Sequence, residues 1–144
     1  MSPEATALVR ESWPEIAVRG DAVCDDFYAR LFALDPEARA LFAHVDMATQ
    51  RAKFMQMIGA MIDVLDDPGV LVSETVATGR RHAGYGATRR DFELAGSALL
   101  QAVGAALGDR WTPAMREAWR ELYVLLSSVM MRAGGQATMA AGEH

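Results

Sequence analysis

Apolar residues recur along this chain at intervals of three and four, and no stretch alternates apolar with polar as a half-buried strand would. Breakers fall between these periodic runs, so the pattern predicts one helix after another. Ser2, Pro3 and Glu4 make a helix start, with a capping hydroxyl, a proline at the first position and an acid in the first turn. Val9, Trp13, Ile16 and Ala17 form its apolar face, Pro14 predicts a kink or local break, and Gly20 ends it. A second helix from Asp21 carries Val23, Cys24, Phe27, Tyr28, Leu31 and Phe32, a broad apolar face with a phenol inside it. Asp35-Pro36-Glu37 starts a short helical turn through Leu41 and Phe42. A connection over 43–49, with Asp46 as cap candidate, leads to a long helix from Met47 to Leu65. Asp66 to Gly69 breaks that helix, and a weaker one runs from Val70 to His82. Thr88 and Asp91 resemble a capping box before the run from Leu94 to Leu107. Thr112-Pro113 then opens a last helix bearing Met115, Trp119, Leu122, Tyr123, Leu126 and Met130. The pattern predicts that the last two helices pack on each other as a central pair.

Seven or eight helices of unequal length in 144 residues predict a compact all-α fold, not a regular four-helix bundle. The domain spans 1–133, and 134–144, from the Gly134-Gly135 pair onward, is expected to be a flexible tail. With 51% hydrophobic and 23% charged residues the composition is globular. A net charge of −5 argues against non-specific nucleic-acid binding, which needs a basic face. No apolar run approaches the ~18–20 residues of a membrane span, and the N-terminus lacks the basic and apolar regions of a signal peptide. Cys24 is the one cysteine and has no internal partner, so a reducing, cytoplasmic setting is expected. The 9 methionines read as adaptable core filling, and nothing in the pattern fixes an oligomeric state.

Chemistry concentrates at Arg80-Arg81-His82-Ala83-Gly84-Tyr85-Gly86, the end of one helix and the approach to the next. Taken alone, His82 reads first as a cation capping a helix C-terminus. Tyr28 on its apolar face needs a hydrogen-bond partner once buried, unless its hydroxyl reaches the surface or a backbone carbonyl. Gln50 offers both an amide donor and an acceptor, or is a solvated first-turn residue.

Four motifs taken in order change this reading: Phe27-Tyr28 with Leu31-Phe32 and Asp35-Pro36; Leu41-Phe42; Gln50 with Lys53-Phe54-Met55; and Arg81-His82 with Tyr85-Gly86. Together, over roughly 5–132, they resemble the globins, and more closely the bacterial single-domain haemoglobins related to the globin part of flavohaemoglobins. The resemblance implies a globin fold around a pocket for haem b, iron protoporphyrin IX. It implies His82 as the proximal iron ligand, its second ring nitrogen held by a backbone carbonyl near Thr78. Phe42 would stack on the porphyrin and Phe54 would wall the ligand pocket. Tyr28 and Gln50 would be distal hydrogen-bond donors to a bound gas. Tyr85, Arg81 and Lys53 would lie at the haem edge, Arg81 suiting a propionate.

Two departures from the family pattern sharpen the expectation. Flavohaemoglobins and many close relatives bond the proximal histidine to a tyrosine ten residues on and to a late glutamate. Those positions hold Phe92 and Gly134 here. Without that polar push His82 should behave as a neutral imidazole. That favours reversible binding of dioxygen, for oxygen binding, storage or delivery, over catalysis. The sequence also holds no Gly-rich phosphate motif for a flavin or nicotinamide. Nitric oxide dioxygenation is the alternative and would draw on a separate reductase. A gas-sensing or interaction domain is a third reading. Dioxygen, NO and CO are the expected ligands.

Overall fold

The computed structural model of the chain describes residues 1–84 and 88–142, with side chains described outside 80–84 and 134–142. Seven α-helices follow one another: α1 (Pro3–Val18), α2 (Gly20–Leu34), α3 (Ala38–Leu41), α4 (Met47–Asp63), α5 (Pro68–Gly84), α6 (Arg89–Leu107) and α7 (Pro113–Gly142), with a 3-10 turn, Gly108–Arg110, before the last. Among the described residues there is no strand.

The helices begin where local chemistry tells them to. Ser2 Oγ accepts from the Ala5 N–H at 3.1 Å. Asp46 accepts from the Ala48 N–H at 3.3 Å and the Thr49 hydroxyl at 2.8 Å. At α6 the capping box is complete: the Asp91 N–H donates to Thr88 Oγ1 at 3.2 Å and the Thr88 N–H to Asp91 Oδ2 at 2.9 Å. Aspartate therefore does here what Glu or Gln does in the usual box. The far end of α6 is closed by Gly108, whose φ of 56° suits a residue with no side chain.

Two expectations are corrected. Helix α1 runs through Pro14 without a break; Pro14 faces solvent, while Val9, Ser12 and Ile16 on the opposite side are buried and hold the helix against the core. The central pairing also differs: α6 packs chiefly on α2 and α7 chiefly on α5, with a smaller contact between α6 and α7.

That smaller contact is close nonetheless. A Cβ added at Gly96 would run into the Tyr123 ring, so the missing side chain admits the ring against the α6 backbone. The Tyr123 hydroxyl donates to the Phe92 carbonyl in the first turn of α6. On the other side of α7, Trp119 is 1% exposed, and its indole N–H donates to Ser12 Oγ at 3.0 Å. Ser12 in turn donates to the Val9 carbonyl at 2.9 Å, so this buried polar pair is satisfied and ties α1 to α7. No described helix is long and apolar enough to cross a membrane.

Candidate functional site

Helices α2 and α4 place their aromatic residues in one cluster. Phe27 stacks on Phe54 with centroids 4.7 Å apart at 19°. Tyr28 meets Phe27 edge-on at 4.9 Å and Phe42 edge-on at 5.4 Å. Phe32 meets Phe42 at 5.7 Å, and the Arg39 guanidinium lies 5.0 Å over the Phe32 ring. Phe27 and Tyr28 are buried, whereas Phe32, Phe42 and Phe54 are half-buried, so the cluster keeps an incompletely covered side. The α2 periodicity foretold the buried set. It did not foretell that Phe27, and not only Phe42, would stack against Phe54.

One polar bond crosses this apolar cluster. Gln50 Nε2–H donates to Tyr28 Oη at 3.2 Å, and Tyr28 is 5% exposed. The sequence reading expected both as donors to a bound gas; here the amide gives to the phenol. Among the described residues the phenol's own hydrogen has no acceptor. A buried O–H with nothing to donate to is costly unless a further acceptor enters. Two bonds fix the helices on either side: Arg51 pairs with Asp25 at 2.9 Å, and the Cys24 thiol donates to the Arg51 carbonyl at 3.8 Å. Cys24 is fully buried; burial pushes its thiol up to about 11, with Arg51 offsetting only part. It therefore stays a protonated, unreactive packing residue.

Burial also pushes the Tyr28 phenol up to about 12, with the Gln50 hydrogen bond pulling the other way. Burial raises Tyr123 as well. An unfolded tyrosine ionises near 10. The preference of the fold for neutral phenols is therefore present in full below about pH 10 and lost as pH climbs through about 12. Urea midpoints between pH 9 and 12 are expected to fall steeply for the native chain and less steeply for Tyr28→Phe. Parallel curves would mean that the Tyr28 hydroxyl is not buried in the fold.

The remaining sequence-predicted residues divide. Lys53 is exposed and makes no described bond, and His44 is exposed too. The α5 backbone carries Arg81 and His82, but their side chains, with Tyr85 and Gly86, lie outside the described residues. So does the side-chain environment at Gly134. Phe92 is buried and brings no polar group of its own to the α6 start. A phenol arrives there anyway, from Tyr123 on α7, which sequence reasoning treated only as an apolar-face residue. The pairing of Gly96 with Tyr123 gives no local signal in either helix.

A haem fits what is described. Among the described residues no group of three or more His, Cys, Asp or Glu side chains could hold a bare metal ion. A porphyrin supplies most of the iron's ligands itself and needs one axial side chain, an apolar wall and a selective donor. The aromatic cluster is apolar, and among the described residues the Tyr28 hydroxyl has no acceptor.

Comparison with known proteins gives the same direction. The chain is 30% identical to a flavohemoprotein of Rhodopirellula baltica over 99% of its length, covering 36% of that protein. It is 32% identical to a flavohemoprotein of Xylella fastidiosa over 90% of its length, covering 33% of that protein. It is 27% identical to a neuroglobin of Danio rerio over its whole length, covering 96% of that protein. The chain thus spans about a third of the flavohemoproteins it matches and nearly all of the neuroglobin. The globin family profile matches residues 25–130, which takes in the aromatic cluster, the Tyr28–Gln50 pair and the α5 segment that carries His82. The chain belongs to the globin family.

Proposed function

We propose that this globin holds haem b and binds dioxygen reversibly at ferrous iron, with His82 as the proximal ligand. Haem is the cofactor that the family implies, and diatomic gases are its ligands. Bound haem would supply the ferrous iron that takes a gas, with His82 holding it. The chain's own residues do the rest. Phe42 and Phe54 wall the haem and the ligand space. Arg81, Tyr85 and Lys53 serve the haem edge and propionates. The Tyr28 O–H donates to the gas, and Gln50, by donating to the phenol oxygen, orients and polarises that O–H. The observation that carries this reading is the buried Tyr28 hydroxyl, held by Gln50 and without an acceptor among the described residues.

Visible spectra in the ferric, ferrous and CO forms, for the native chain and for His82→Gly, provide the test. A Soret band that shifts with CO and a proximal signature lost in His82→Gly are expected. An unchanged proximal signature in that variant would remove His82 as the ligand. The series arrangement makes a second prediction. Gln50→Leu should raise the dioxygen off-rate, but less than Tyr28→Phe does, because the phenol donor survives. The reverse order would make Gln50 the direct donor.

Nitric oxide dioxygenation is a second reading, favoured by the similarity to flavohemoproteins. It requires electrons from an external reductase. Sustained NO consumption with an added reductase, limited only by iron reduction, would put it first.

A further inference from the structure

Helices α5 and α7 approach so closely at one point that their backbones touch. A Cβ built on Gly79 would sit 2.5 Å from the Met130 carbonyl oxygen and 2.6 Å from its Cα. These are backbone atoms of a helix interior, so no side-chain rotation relieves the overlap. The rest of the buried α5 face is arranged to allow this approach. Thr75 and Thr78 fold their hydroxyls back onto the Leu71 and Glu74 carbonyls, at 2.6 and 3.0 Å. Met130 is 7% exposed and part of the core, so α7 is fixed from its other side. Gly79 is therefore where the height and rotation of α5 are set against a rigid neighbour.

His82 follows Gly79 by three residues, about 4.5 Å further along the same helix. We infer that Gly79 is a positioning residue for the proximal ligand: its contact with the Met130 backbone sets where α5 presents His82 to the haem iron. This rests on the proposed role of His82. Any side chain at 79 forces the two backbones apart by about 1 Å, since ordinary heavy-atom contact needs ~3.5 Å or more. A helix moves as a unit over one turn, so the backbone at 82 moves with it. A displacement of that size matters to a bond whose strength depends on geometry.

Resonance Raman spectra of the ferrous haem-loaded protein, together with CO association kinetics, test the inference. Gly79→Ala should move the iron–histidine stretching band and change the CO association rate severalfold. Gly69→Ala is the control, because a Cβ at Gly69 on the same helix meets only Asp67 Oδ1 at an ordinary 3.6 Å; it should move neither. The same comparison with His82→Gly and added imidazole isolates the route. There the ligand is no longer tethered to α5, so Gly79→Ala should leave the iron–imidazole band where it is. An unshifted band in Gly79→Ala with His82 intact overturns the positioning role. A proximal band that survives His82→Gly without imidazole overturns the ligand assignment instead. Native-state hydrogen exchange on the unaltered holo-protein needs no variant. Amides of 76–80 and of 128–131 should share one protection level. If the α5 amides exchange about a hundredfold faster than those of α7, α5 is not locked and the inference fails.

Discussion

Tyr28→Phe is expected to speed dioxygen dissociation about tenfold to a hundredfold. The range follows from one hydrogen bond to a partly charged acceptor, worth ~1.5–3 kcal/mol, with tenfold for each 1.4 kcal/mol. The variant keeps the ring and therefore its edge contacts with Phe27 and Phe42. It also removes the acceptor for the Gln50 amide. Gln50 is only half-buried, so its amide finds water or turns toward the gas, and some of the loss is recovered. CO carries little charge on its outer atom and should dissociate at nearly the native rate. The contrast between the two gases, measured by ligand displacement and flash photolysis, separates hydrogen bonding from altered packing. Equal changes for both gases would mean that the phenol acts by shape alone, and no change for either would remove Tyr28 from the site.

The elements were legible in the sequence because their signals are local. Ser2, Asp46, Thr88 and Thr112 each sit at a helix start, and each cap is made by atoms within a turn of it. Pro14 misled because propensity there is outweighed by the buried face of the same helix. Pairing was not legible. Apolar stripes on α6 and α7 say that both helices are buried but not against which neighbour. Gly79 and Gly96 mark two of the close approaches, where a missing side chain admits another element. A glycine inside a helical run reads in sequence only as a weak position, and its meaning depends on Met130 or Tyr123, far along the chain.

The buried phenol was legible in the sequence and its hydrogen bond was not. Tyr28 on an apolar face announced a buried phenol with a partner to find, and Gln50 on α4 donates to it. That the amide is spent on the phenol, not held free beside it, depends on how α2 and α4 cross. The proximal side follows the same logic. Phe92 removes a side-chain hydroxyl from the α6 start, and the Tyr123 hydroxyl takes the Phe92 carbonyl there instead. A phenol bonded to a backbone carbonyl braces α6 against α7 and carries no charge.

The second large effect is on stability and should leave ligand binding untouched. Trp119→Ala is expected to cost about 3–5 kcal/mol, the range for emptying a buried aromatic site. That is a large share of a domain stability of about 5–15 kcal/mol. Trp119 is among the largest fully buried side chains, and it holds α1 against α7. Ser12→Ala should cost less, about 1–3 kcal/mol, because it leaves the volume filled but strands the indole N–H. The two losses should not add. Once Trp119 is gone, Ser12 still donates to the Val9 carbonyl and strands nothing, so its removal then costs little. Urea unfolding of the two single variants and the double variant measures this coupling. Additive costs would mean that the indole N–H is satisfied elsewhere. The dioxygen off-rate of folded Trp119→Ala should stay native, because the Tyr28–Gln50 pair sits on α2 and α4 and the indole bonds across α1 and α7. A changed off-rate would show that loss of the indole reaches the Tyr28–Gln50 pair through the packing between them.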